Sequence, residues 1–156
     1  MIYFGIITGI LLMEMLIKRW VKRTERKDNT RMPEWRCIRI EHLENGGAAK
    51  GIFSTHRKFL KGMTGVILCG LCLMLGKEHR RIPFSLRGVA LAMILGGGLS
   101  NWLDRMRKDT VTDYVRFPNC PVKVIQRLVF NISDFFILIG GILLFLVENL
   151  SIKKVN

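Results

Sequence analysis

LVFNISDFFILIGGILLFLV, residues 128–147, is the stretch that decides the fold. Its single charge is Asp134. A helix needs about 20 mostly apolar residues to cross a bilayer, so this block reads as a spanning helix. An ionised carboxylate is expensive there, and an ionisable group inside a membrane points to function by default.

Three more such blocks lie upstream. Residues 1–17 are interrupted only by Glu14, and residues 62–76 and 88–103 carry no charge. The last two are short. Lys61, Lys77 and Arg87 at their edges can lay their stems along apolar surface and keep their charges at the interface. Buried helices of a water-soluble protein are the bland alternative, and four such blocks in 156 residues argue against it. The reading is an all-α polytopic membrane protein. A single domain covers residues 1–156, with helices at roughly 1–18, 60–77, 86–105 and 126–148 and a small β-containing loop region. The first block has no basic residue before it and no small-x-small site after it, so it reads as a retained helix, not a secretory signal. GGG at 96–98 reads as close helix packing.

Between the blocks lie basic connections. The net charge of +13 calls for an anionic partner. Beside four apolar blocks, lipid headgroups are a simpler partner than nucleic acid. KRWVKRTERKDNTR, residues 18–31, reads as a headgroup-facing surface. In WRCIRIEHLENGG, residues 35–47, Ile38 and Ile40 alternate with charged residues. That suggests a short half-exposed strand ending in a turn at Gly46 and Gly47. Pro83 favours a turn, and Pro118 and Pro121 break the polar connection over residues 105–127. Cys69 and Cys72 have C-x-x-C spacing but lie inside an apolar block, where small packing residues are expected. Cys37 and Cys120 fall in different loops and could pair only if both face an oxidising side.

The polar residues at the ends of the blocks carry the chemistry. Glu14 closes the first block, and Asn101, Asp104 and Arg105 close the third. Asp113 follows, and Asn131 and Asp134 open the fourth. An up-and-down topology brings all these ends to one membrane face. Structural pairings explain some of them: Glu14 with Lys18 at i,i+4, Asp104 with Arg105, and Asp113 with Arg116. Asp134 has no local cation. Two carboxylates held close cannot easily both ionise, so one serves as acid and the other as base, and the pair can activate water against an amide carbonyl. No H-E-x-x-H, G-x-S-x-G or P-loop pattern competes. The residues alone do not choose between Asp104 and Asp113 as the partner of Asp134. A small transporter or proton-conducting bundle using the same carboxylates is the alternative class.

GGGLSNWLDR, VTDYV and VFNISD closely resemble the lipoprotein signal peptidases, or signal peptidase II. These are four-helix membrane aspartyl peptidases of bacteria. The family's G-N-x-x-D-R, V-V-D-F and F-N-x-A-D are matched by Asn101, Asp104, Arg105, Asp113, Phe130, Asn131 and Asp134. Its D-Q-x-x-K appears as EMLIK, with Glu14 and Lys18. Its N-x-G-A-A appears as NGGAA, with Asn45, Gly47, Ala48 and Ala49. Five motifs in order cover nearly the whole chain.

The resemblance implies a catalytic dyad of Asp113 and Asp134, with Asp104, Glu14 and Lys18 in support. Asn45, Asn101, Arg105 and Asn131 would position substrate and dyad. It implies cleavage of prolipoproteins just before a diacylglyceryl-modified cysteine, without metal or organic cofactor. It also implies a monomer among anionic membrane lipids, with no nucleic-acid partner. The location implied is the bacterial cytoplasmic membrane, with the active site at the extracytoplasmic face. Glu14 replaces the family's Asp, Met15 its Gln, Lys50 an aromatic residue, Ser100 a Gly and Ser133 an Ala. These departures leave the dyad intact and bear on substrate preference. A specialised or catalytically inactive relative that binds lipidated peptides stays open. In the implied orientation the two long loops hold 13 and 6 Lys and Arg outside, against 4 and 2 inside. That is the reverse of the positive-inside rule.

Overall fold

The structure is a computed structural model that describes residues 1–28, 37–47 and 56–152. Its elements are α1 (Ile2–Asp28), β1 (Arg39–Asn45), α2 (Arg57–Arg81), α3 (Leu86–Lys108), β2 (Val111–Arg116), the one-turn α4 (Lys123–Gln126), β3 (Val129–Phe130) and α5 (Ile132–Ile152). Ala48, Ala49, Lys50 and the end of the first basic run lie outside the described residues.

Among the described residues, three helices, α2, α3 and α5, are long and apolar enough to cross a membrane. In α1, Glu14, Lys18 and Arg19 interrupt the apolar run. Half of the α3 span is buried, against 11% of those of α2 and α5. The third helix is therefore the centre of the bundle. The others turn apolar surface outward, as at Val66, Leu73 and Phe145. Helices with satisfied backbones and apolar outer faces suit a lipid solvent.

The three glycines at 96–98 let the other helices approach α3. A Cβ on Gly96 would lie 2.9 Å from Ile10 of α1, on Gly97 2.5 Å from the Ser133 carbonyl oxygen of α5, and on Gly98 2.8 Å from Leu68 of α2. The thiols of Cys69 and Cys72 are free and exposed rather than buried in the packing, and Cys72 lines a groove between α1, α2 and α3; Cys37 and Cys120 are free as well.

One end of the bundle is capped by an antiparallel sheet in the order β1-β2-β3. Val21 near the end of α1 packs with Tyr114 and Val115 of β2, surrounded by Ile38, Ile40, Phe117 and Phe130. This apolar cluster pins the sheet to the bundle. The central strand is VTDYVR, which lies within what the sequence suggests is a polar connection.

The register of β1 against β2 changes by one residue. Ile40 lies opposite Val115, whereas Leu43 lies opposite Asp113. Side chains alternate across a strand, so one extra residue turns the rest of β1 over. Without this bulge Asn45 would share a face with Thr112. With it, Asn45 shares the face of Asp113.

The last helix begins at Ile132, several residues after the apolar run does. Its start is set by a reciprocal cap. Asn131 Oδ1 accepts from the Asp134 backbone N–H at 3.1 Å, and Asp134 Oδ2 accepts from the Asn131 N–H at 3.0 Å. This is the logic of a capping box, in which each side chain accepts from the other residue's backbone N–H. Asp134 consequently stands in the first turn, where an acidic group also suits the helix dipole.

Candidate active site

Two asparagines tie Asp113 and Asp134 together. The Asn131 side chain donates to Asp113 Oδ1 at 2.7 Å, while its backbone caps Asp134. Asn45 donates to Asp113 Oδ2 at 3.1 Å, the contact that the bulge makes available. Asn101 of α3 donates to Asp134 Oδ1 at 2.9 Å. Both carboxylates line one cavity of about 440 Å³, together with Asn45, Asn101, Arg105 and Asn131. Leu43, Val129 and Phe130 form its apolar wall.

The carboxylates are held by neutral amides, not by cations. Burial pushes the Asp113 carboxyl up, the Asn45 and Asn131 hydrogen bonds pull it back, and nearby Asp134 raises it again, leaving it at about 6. A carboxyl near that value gains and loses a proton close to neutrality, as general acid–base work requires.

Behind Asn101 lies a buried charge cluster. Lys18 approaches Glu14 at 3.1 Å and Asp104 at 2.9 Å, and stands 3.5 Å from Asn101 Oδ1. Asp104 also accepts from the Thr112 backbone N–H at 3.3 Å. The i,i+4 pair expected for Glu14 and Lys18 is present. Asp104 pairs across the bundle with Lys18, not with its neighbour Arg105. Likewise Arg116 pairs with Glu41 at 2.6 Å and leaves Asp113 to the amides.

Arg105 reaches the cavity from α3. Its Nη2 donates to the Gly47 carbonyl at 3.0 Å, holding the turn after β1. Its buried Nε has no partner among the described residues. Glu44, which also lines the cavity, collects Lys108, Thr110 and Thr112. Partial burial opposes the Glu44 charge, but the Lys108 and Thr110 hydrogen bonds and the Lys108 ammonium outweigh it and hold the carboxyl at about 2.

Sequence reasoning missed Tyr114. Its hydroxyl donates to Glu14 Oε2 at 2.9 Å and accepts from the Ile132 N–H at 3.2 Å. Burial, with Glu14 beside it, pushes the phenol well above its usual range, so it stays a donor. It joins α1, β2 and α5 directly beneath the aspartates. The available signal was its position next to Asp113, on the opposite face of a strand.

The chain matches the family described as signal peptidase (SPase) II over residues 6–150. The chain belongs to the signal peptidase II family. It is 36% identical to a lipoprotein signal peptidase of Bacillus pumilus over 115 residues, covering 74% of this chain and 71% of the relative. A lipoprotein signal peptidase of Bartonella bacilliformis is 30% identical over 139 residues, covering 88% and 81%. Two solved structures of bacterial membrane enzymes share the fold. One has a TM-score of 0.80 at 22% identity, covering 97% of this chain and 90% of that one. The other has a TM-score of 0.77 at 24% identity, covering 94% and 91%. With its apolar helices, this family member is a multi-pass membrane protein.

Proposed function

We propose that the chain removes signal peptides from diacylglyceryl-modified prolipoproteins as an aspartyl endopeptidase, cutting before the lipidated cysteine. One observation carries the reading. A single residue, Asn131, binds both carboxylates, Asp113 by side chain and Asp134 by backbone, and so places them in one cavity.

The dyad holds one proton between two carboxyls and binds a water. The ionised carboxylate takes a proton from that water as its oxygen attacks the scissile carbonyl carbon. The protonated carboxyl donates to the carbonyl oxygen. When the tetrahedral intermediate collapses, the C–N bond breaks and a proton passes to the departing amine. Two carboxyls and water complete this cycle without metal or organic cofactor. Asn45, Asn101 and Asn131 fix the dyad, and the unpaired Arg105 Nε suits a peptide carbonyl of the substrate. Asp104, Glu14 and Lys18 hold Asn101 in place.

The first helix acts as a fourth crossing, because Glu14 is buried and Lys18 nearly so, both facing protein instead of lipid. The sheet end faces outward from the bacterial cytoplasmic membrane, where a lipidated substrate presents its cleavage site near the headgroups. The protein works as a monomer among anionic lipids, with no nucleic-acid partner.

A purified protein given a diacylglyceryl-modified prolipoprotein tests the chemistry. Cleavage by the wild type that Asp113→Asn and Asp134→Asn each abolish supports the dyad; undiminished cleavage by both variants overturns it. Binding without cleavage by the wild type would identify an inactive relative. Reporter fusions after residue 30 and at the C-terminus test the orientation, and a cytoplasmic residue 30 would reverse it.

A further inference from the structure

A second cavity, of about 320 Å³, lies between α1 and α3 and shares no lining residue with the first. On α3, Asn101 and Arg105 face the dyad, whereas Ser100, Leu103, Asp104 and Arg107 face this cavity. Its deeper wall is apolar, with Leu11, Leu12 and Met15 of α1. Its outer wall carries Lys18, Arg19, Lys22, Arg107 and Lys108. Leu11 and Lys22 are separated by roughly 16 Å along the helix, from a rise of about 1.5 Å per residue. Apolar surface therefore gives way to a ring of cations just where the helices leave the hydrocarbon.

The acids present do not neutralise this ring. Lys18 is taken up by Glu14 and Asp104, and Lys108 by Glu44. Arg19, Lys22 and Arg107 carry no acidic partner among the described residues. Convergent like charges on two facing helices repel one another unless an anion sits between them. Guanidinium groups match phosphate oxygens in geometry as well as charge.

We propose that this cavity binds an anionic phospholipid of the surrounding bilayer, its phosphate between Arg19 and Arg107 and an acyl chain along Leu11, Leu12 and Met15. The diacylglyceryl group of a lipoprotein substrate is uncharged and has no use for such a ring. The lipid is accordingly a bilayer component separate from the substrate. The site rests on the membrane setting of the bundle and not on its peptidase chemistry, so lipid retention reads it independently of cleavage.

Native mass spectrometry of the full chain, released from detergent with added phosphatidylglycerol or phosphatidylcholine, tests the site. The wild type should retain one phosphatidylglycerol in preference to phosphatidylcholine. Arg19→Gln with Arg107→Gln should weaken that retention roughly 20-fold, from about fivefold per basic residue at an anionic surface. Arg107→Gln alone, the smaller perturbation, should weaken it about fivefold. A charge-matched control, Arg23→Gln with Lys123→Gln at exposed positions outside the cavity, should weaken it clearly less than the cavity pair does. Equal losses from the cavity and control pairs would reduce the effect to a diffuse field and overturn the site. Equal retention of the two lipids would do the same. Displacement of the lipid by glycerol phosphate at equal concentration would assign the ring to a soluble phosphate and overturn the lipid.

Discussion

Buried carboxylates occur at both ends of this bundle, and Glu78 at one end is held in the opposite way to Asp113 and Asp134 at the other. At the end away from the sheet, Glu78 meets Arg87 at 2.9 Å and the Ser85 hydroxyl at 2.6 Å, and Arg87 continues to Glu148 at 2.7 Å. Tyr3 joins the same knot by accepting from the Ser85 N–H at 2.8 Å. At the sheet end, Asp113 and Asp134 accept from three asparagine amides and a backbone N–H. Lys18 stands beyond Asn101, one residue removed. A carboxylate clamped by a guanidinium keeps its charge and fastens helices. Asp113, touched among the described residues only by neutral amides and pushed up by burial, exchanges a proton near neutrality. Burial raises the Asp113 carboxyl and no cation among those residues touches it to bring it back down, so burial and partner type together distinguish the two ends.

Replacing the amide-held groups should break the contrast most sharply. Asp113→Asn or Asp134→Asn is expected to lower kcat about 10³–10⁴-fold, the upper range for lost acid–base catalysis, in a prolipoprotein cleavage assay. Thermal unfolding in detergent should show both variants folded.

Moving Asp134 without touching it comes next. Gly97→Ala places a methyl 2.5 Å from the Ser133 carbonyl oxygen, immediately before Asp134. Displacement of a reacting group by about 1 Å costs on the order of 10²-fold. Cleavage should fall by about that factor, with stability lowered by roughly 1–3 kcal/mol from overpacking.

Asn45→Ala sharpens the role of the amides. One limb of the pH–rate profile should lie near 6, set by Asp113. Loss of a hydrogen bond to the ionised form should move that limb upward, and a move of about one pH unit would cost about fivefold in rate at its original position. The same carboxyl gives stability a sign. Its folded value lies above the ordinary one near 4, so its contribution is most favourable below pH ~4 and is lost as pH rises through about 6. Asp113→Asn should therefore gain stability relative to the wild type across that window, read from melting temperatures at each pH.

The smallest effect on rate belongs to the clamped end. Glu78→Gln should cost roughly 2 kcal/mol of stability, below the ~3–5 kcal/mol of a fully buried pair because Arg87 is partly exposed. Cleavage by the folded fraction should change less than about twofold. A larger loss would mean that the two ends are coupled.

Three apolar blocks were legible because lipid solvent demands long uncharged runs, and they correspond to the candidate spans α2, α3 and α5; the first block forms α1, whose charges set it apart from them. GGG at 96–98 was legible because side-chain-free positions in such a run have few uses besides close approach. Local pairing rules failed at Asp104 and Arg116. Both found distant partners, since a bundle brings a lysine 86 positions away as near as the next residue. Tyr114 offered only its place beside Asp113, and the bulge in β1 was not legible at all. Each depends on which face a strand turns to which neighbour.

Sequence alone determined that the chain is built from helices suited to a bilayer, and the order of its motifs pointed to the signal peptidase II family. Periodicity and hydropathy are properties of single segments, so they survive without coordinates. Tertiary structure alone decided that Asp113 lies on a central strand, that one extra residue in β1 turns Asn45 towards it, and that Asn131 holds both aspartates. Those are relations between segments far apart in the chain, fixed by packing and by the need of every buried polar group for a partner.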